Sequence, residues 1–255
     1  VLPRSERASS VVLGHSFFTP KYVTYRNIQS YSLAEDVQLG PTVGTSMAVA
    51  RKEIGSERNF VNLSASAGYT LDIAGDGFAR ASIGAATRLE GGDAKDNSYV
   101  ISGRVVPPRI FGVMRLVARF AYRTIIDNEN NALLTLGGSS GMRGFDIGAF
   151  SGDTRYVANL EMRTPPIKLW FMRWGAVAFW DMGDAVTAEA KNPFSAISSL
   201  SYNADVGAGL RMLMPQLQPV VFSFDLAYAL TEPPVIPGAP ASSRFRLVLF
   251  IDQAF

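Results

Sequence analysis

The stretch Ser242–Phe255, "SSRFRLVLFIDQAF", alternates residue by residue. Phe245, Leu247, Leu249, Ile251 and Phe255 fall on one face, with Gln253 as the one interruption. Arg244, Arg246, Val248, Phe250, Asp252 and Ala254 fall on the other. Successive side chains of a β-strand point to opposite sides of the sheet, so a period of two is a strand signature. Moving back along the chain, "PVVFSFDLAYA" repeats it, with Val220, Phe222, Phe224, Leu226 and Tyr228 against Ser223, Asp225 and Ala227. In 202–214, Tyr202, Ala204, Val206, Ala208, Leu210 and Met212 oppose Asn203, Asp205, Gly207, Gly209 and Arg211. In 155–163, Arg155, Asn159, Glu161 and Arg163 oppose Tyr156, Ala158, Leu160 and Met162. The same alternation sets Arg115, Arg119 and Arg123 in 114–123, and Arg80, Ser82, Gly84, Arg88 and Glu90 in 79–90, each on one side.

A water-soluble sandwich also alternates, but its polar face is dominated by Lys and Glu. Here the polar faces hold arginines, carboxylates, glycines, serines and asparagines. The segments run longer than the usual soluble strand, whose mode is roughly 5–6 residues. A transmembrane barrel strand takes about 9–11 residues, apolar side out and polar side in. Tyr69, Tyr99, Tyr122, Tyr156, Trp170, Trp174, Tyr202 and Phe255 lie near segment ends, where barrels carry interfacial aromatic girdles. No apolar run approaches the roughly 20 residues of a membrane helix. The expected fold is therefore an all-β, antiparallel transmembrane barrel spanning 1–255, with a soluble β-protein as the alternative.

Strands are expected near 8–17, 20–30, 37–51, 58–72, 77–90, 97–106, 112–125, 152–164, 170–182, 200–213, 218–229 and 243–255, about twelve. The first two merge if "FFTP" is a kink. An even count puts both termini on one side, the periplasm. The short connections at 73–76, 107–111, 165–169 and 214–217 then share that side. The longer ones, at "GGDAKD", 126–151, 183–199 and "TEPPVIPGAP", face outward. The partner implied first is the lipid bilayer of an outer membrane.

Composition removes several classes. Lys+Arg number 24 and Asp+Glu 22, for a net charge of +2, so no nucleic-acid footprint is expected. With no cysteine and a single histidine, His15, neither a metal centre nor a cofactor is expected. His15 and Ser16 point to opposite faces of a strand and no G-x-S-x-G elbow occurs, so no enzymatic activity is expected either. "DNENN" at 127–131 lacks the spacing of a calcium loop and reads as a solvated tip. Arginines 80, 88, 115, 119 and 123 are expected to pair with acids on the same face; unpaired, they would bias a pore toward anions. The chain opens on Val1 without a signal-like segment, so processing or an absent upstream region is expected.

"LGGSSGMRGFDIGAFSGDTRY", 136–156, is long and glycine-rich, with Arg143 wedged into Gly-Met-Arg-Gly-Phe. A long loop without secondary structure of its own is commonly functional or disordered. In "VAFWDMGDA", Phe179, Asp181 and Gly183 share the polar face, and Glu161 lies on that face of the preceding strand. Arg143 can dock on Asp181 by charge-assisted hydrogen bonds, or remain a solvated arginine on a mobile tip. On a two-body pair, Asp181→Arg destabilises the fold and an added Arg143→Asp partly restores it.

These residues resemble a family. "GGSSGMRGF" is similar to the (V/L/M)-R-G-(F/Y) motif in the lumen-inserted loop of BamA-like outer-membrane assembly factors. Their superfamily also includes TamA-like factors, two-partner-secretion transporters and patatin-type autotransporter barrels. "FWDMGDA" resembles its F-x-D-x-G strand motif and "YVANLEMRTPP" the strand after the loop; five strands after the loop is the family arrangement. The resemblance implies that Gly141, Arg143, Gly144 and Phe145 form the loop motif. Phe179, Asp181 and Gly183, with Glu161 beside them, form the wall motif. Phe245, Leu247, Leu249, Ile251 and Phe255 form the terminal signal read by assembly machinery. It covers 130–255 well and 36–125 only in style. Two departures stand out: the family's barrels have sixteen strands, so this chain is a twelve-stranded barrel or part of a larger one, and no periplasmic POTRA module is present in it. The implied function is outer-membrane protein assembly or protein translocation, with other outer-membrane or periplasmic proteins as partners. A small anchor or partner subunit, and a passive anion-leaning pore, are the alternatives.

Overall fold

The structure is a computed structural model that describes residues 5–28, 33–188, 190–216, 218–234 and 243–251, the side chains of 218 and 219 excepted. Its strands are β1 (Ser10–Phe18), β2 (Lys21–Arg26), β3 (Ala34–Ala50), β4 (Phe60–Ile73), β5 (Gly77–Glu90), β6 (Asp93–Val106), β7 (Arg115–Ile126), β8 (Leu134–Leu136), β9 (Phe150–Gly152), β10 (Thr154–Arg163), β11 (Ile167–Leu169), β12 (Met172–Val186), β13 (Asn203–Met214), β14 (Gln218–Ala229) and β15 (Phe245–Ile251). One antiparallel sheet runs β1-β3-β4-β5-β6-β7-β10-β12-β13-β14-β15, a meander consistent with a β-barrel wall. β1 and β15 are its edges, and no pairing closes them upon one another among the described residues.

Eleven strands lie on this path, where about twelve were expected. The segments 8–17 and 20–30 are one kinked strand: β1 pairs with Thr42–Ala50 of β3 and β2 with Ala34–Leu39 of the same strand. The kink has a local cause. Pro20 and Pro41 lack the N–H that a ladder needs, and Gly40 between the two halves of β3 takes a φ of 89°. An odd count also changes the parity. β1 and β15 run in the same direction, so Ser10 sits at the rim of the long connections and Ile251 at the rim of the short turns. Both ends on one side is therefore not what these strands form. Phe255, with residues 252–254, lies outside the described residues.

The register makes the alternation two-dimensional. One row on the apolar face reads Leu71, Ala79, Val105, Ala118, Leu160, Trp180, Val206, Tyr228 and Phe245 across nine neighbouring strands. His15 faces Thr45 on that apolar side. The connection after β12 folds onto the same face, where Tyr122 donates to the Pro193 carbonyl at 2.7 Å and Tyr156 to that of Ser201 at 2.9 Å. Tyr122 is thereby buried and not part of an exposed girdle.

On the polar face, the β2–β3 hairpin folds back at the short-turn rim. Tyr25 donates to Asp72 at 2.6 Å and packs against Phe78, Ile28 and Val117. Arg115 reaches the Arg26 carbonyl and Arg163 that of Ile28. The loop after β7 occupies the same face at the opposite rim. It runs 127–153, slightly beyond the expected 126–151, and is not structureless, since β8 and β9 pair within it. "DNENN" folds as a hydrogen-bonded turn in which the Asn130 side chain donates to Asp96 at 2.6 Å.

Candidate functional site: the buried arginine of the long loop

Two features of β12 build the wall of this site. Period-two alternation puts Phe179, Asp181 and Gly183 on the polar face. At Gly183 an added Cβ would lie 2.7 Å from Leu136 Cδ2 and 3.2 Å from Met142 Sδ, so the missing side chain is the space into which the loop packs. The loop brings its own apolar set: Leu136, Met142, Phe145 and Phe150 are buried with Val157, Ala185 and Ala229 of the wall. Phe145 and Phe150 meet edge to face at 5.1 Å.

Gly141 and Gly144 let the backbone come this close. Gly141 has a φ of 118°, and its carbonyl accepts from Asn159 Nδ2 at 2.6 Å. At Gly144 a Cβ would lie 2.5 Å from that of Asp205. Flanked in this way, Arg143 is driven into the wall with 0% exposure.

Its guanidinium is saturated with partners. Nε and Nη2 grip Asp181 bidentately, both at 2.8 Å. Nη1 donates to Glu161 at 2.6 Å and to Asp225 at 3.1 Å. The face of the group lies 3.4 Å from the centroid of the Phe179 ring. Burial alone pushes the guanidinium pKa down, but Asp181 and then Glu161 and Asp225 more than offset it, and the pKa is raised. The positive charge on the loop is therefore fixed.

The network extends past the expected residues. Arg211 binds Asp225 and reaches Glu161 at 3.3 Å, Arg163 donates to Glu161 at 2.7 Å, and Asn159 donates to Asp181 at 2.9 Å. Asp205 stands beside Asp181 in the register. The structure thus brings Arg143, Phe179, Asp181 and Glu161 into one cluster, adds Asp225 and Arg211, and uses Gly141, Gly144 and Gly183 as contact points. Asp225 and Arg211 do lie on the polar face in the alternation. Their pairing depends on register between strands, which alternation leaves open. Phe245, Leu247, Leu249 and Ile251 are not in the cluster; they lie exposed on the apolar face of edge strand β15. Its Arg246 reaches back to Asp146 of the loop.

Such a cluster can clamp the loop to the wall. Each buried charge needs a counter-charge to offset its desolvation, and removing one member strands the others.

Of the arginines expected to pair, Arg88 bridges Glu6 and Glu90, and Arg115 binds Asp76. Arg80, Arg119 and Arg123 form no ion pair among the described residues, because the acids of β10, β12 and β14 are engaged by Arg143, Arg211 and Arg163.

An all-β antiparallel sheet with a long loop clamped by a buried arginine defines the class. Residues 131–246, from the loop to the last strand, match the Omp85 superfamily domain, the superfamily to which the BamA-like resemblance points. Among solved structures, CdiB from Escherichia coli is similar, with a TM-score of 0.56 and 17% identity over 94% of this chain. The match covers 45% of that protein, so this chain spans less than half its length. No curated protein matches the sequence.

Proposed function

We propose that this sheet is wall of a transmembrane β-barrel in the outer membrane of a Gram-negative-type bacterium, with its polar face as the lumen. The loop 127–153 sits inside that lumen, and the chain acts in outer-membrane protein assembly and insertion or in protein translocation. The observation that carries this reading is the fully buried Arg143 clamp, which joins the loop to three strands within the segment matching the superfamily domain. The continuous apolar row around the sheet supports a lipid-facing exterior.

Assembly or translocation then draws on two parts. The clamp holds the loop at a set depth, and the edge strands β1 and β15 offer unpaired backbone to which a client strand can hydrogen-bond. Other outer-membrane or periplasmic proteins are the partners this implies. The test is depletion in the source bacterium, reading the abundance of other outer-membrane proteins and of exported proteins, with rescue by the wild-type chain or by Arg143→Ala. Loss of clients, restored only by the wild type, supports the reading. Unchanged levels of both client classes on depletion refute it.

A further inference from the structure

We propose that the polar wall beside the clamp is a binding site for a multivalent oxyanion, a small solute bearing phosphate or carboxylate groups. Pairing places Arg80 of β5 directly opposite Arg104 of β6, and Arg104 directly opposite Arg119 of β7. Four residues along β7, Arg123 faces Arg155 of β10. Directly opposed residues have Cβ atoms about 5 Å apart, and like charges so placed destabilise the sheet. None of these five arginines takes part in an ion pair among the described residues.

Their remaining contacts are neutral. Arg80 donates to Thr70 at 2.9 Å, Arg123 to Ser98 at 3.2 Å and Arg155 to the Thr135 carbonyl at 2.8 Å. Nε and Nη2 of Arg104 are buried without any hydrogen-bond partner. The charges around Arg104 include Arg163, Arg119 and Arg80 and one carboxylate, Glu35 of β3. Arg163 is already held by Glu161. Three guanidinium forks side by side, with donors free, match the planar bidentate geometry of phosphate and carboxylate oxygens. An anion there supplies the charge that the wall itself lacks.

The inference rests on the polar face being an enclosed lumen, so the test reads the two separately. Refolded protein is first checked for insertion into vesicles and for heat-modifiable migration in gels, then titrated with inorganic pyrophosphate by calorimetry. Wild type is expected to bind, with loss of about tenfold or more in affinity for Arg104→Gln/Arg119→Gln, since two charged forks are removed from the row. Arg119→Lys keeps the charge but not the fork and is expected to bind more weakly than wild type but more tightly than the double variant. Arg109→Gln, at an exposed turn, is expected to bind as wild type does. If the double variant fails to insert, Arg80→Gln at the exposed end of the row carries the test, with a loss of about threefold. Inserted wild type that does not bind pyrophosphate, or variants that bind equally, refute the anion site alone. Protein that does not insert refutes the barrel reading and the site with it.

Discussion

Replacing Arg143 by alanine tests the clamp most directly. The change deletes the bidentate grip on Asp181, the bonds to Glu161 and Asp225 and the stacking on Phe179. Removing one partner of a buried ion cluster typically costs about 3–5 kcal/mol, because the charges left behind remain desolvated. The cationic stacking adds about 1–2 kcal/mol at a site this dry. The loss has a ceiling, since the loop can let go. Once it does, water reaches Asp181 and the penalty stops growing, so the measured cost equals at most the free energy with which the loop docks. Leu136, Met142, Phe145 and Phe150 keep holding it, and each buried apolar side chain is worth about 1.5–3 kcal/mol. Docking therefore persists in part, and a loss of about 3–5 kcal/mol is expected.

Two assays separate the outcomes. Urea titration of refolded protein, followed by tryptophan fluorescence, reads stability. Limited proteolysis reads the loop, which is expected to be cut within 127–153 in Arg143→Ala under conditions that leave the wild type intact. An Arg143→Ala protein within about 1 kcal/mol of wild type and equally protected would mean that Asp181, Glu161 and Asp225 do not depend on this cation, and the clamp reasoning would be wrong.

Three further outcomes follow from the same geometry. Asp181→Arg is expected to destabilise the loop, and adding Arg143→Asp is expected to bring no recovery, because the new aspartate faces Glu161 and Asp225; urea midpoints of the single and double variants check this. Gly183→Ala is expected to expose the loop to protease at a cost of about 1–3 kcal/mol, since its methyl meets Leu136 and Met142, and a protected loop would show that the packing gives way elsewhere. The Glu6 carboxyl is held down to about 2 by the hydrogen bond from Arg88, against desolvation, with Arg58 adding to it. A depressed carboxylate stabilises fully above its ordinary value near 4.5 and loses that contribution as pH falls through about 2, so proteolytic release of the segment before β1 should rise across this window and stay flat from pH 5 to 7.

The Arg143→Asp reversal shows where sequence reasoning stops. Alternation identified Asp181 and Glu161 as facing the loop, and the spacing of Phe179, Asp181 and Gly183 marked the wall. Alternation gives the face of each residue but not its height against the neighbouring strand. Asp225 was visible as polar-facing, yet only pairing in register with Gly209 and the reach of Arg211 bring it to Arg143. A pair read as two-body is therefore a shared cluster, and a swap that suits two bodies fails for four. The kink at Pro20 and Pro41 was open for the same reason: local chemistry permits a turn or a bend, and the pairing of both halves with β3 decides for the bend. The folding of the 187–202 connection onto the apolar face left no periodic signal, because it depends on two tyrosine hydroxyls meeting carbonyls far along the chain.

Charge is segregated between neighbouring strands of the polar face. On β10, β12 and β14, the acids Glu161, Asp181 and Asp225 are engaged by Arg143, Arg211 and Arg163, and the loop buries them. On β5, β6 and β7, Arg80, Arg104, Arg119 and Arg123 form no ion pair among the described residues, and the adjoining face of β1, β3 and β4 carries Gly14, Ser16, Gly44, Ser46, Ser64 and Ser66 beside a cavity of about 600 Å³. Whatever enters that cavity meets small side chains and the Arg123 guanidinium. Freeing Arg143 would reverse the arrangement: the undocked loop would carry a mobile cation toward a wall already rich in cations, where repulsion opposes any new resting place. On the proposed lumen reading, the clamp thus fixes the depth of the loop and, by engaging its charge, leaves the neighbouring arginine row to the proposed anion.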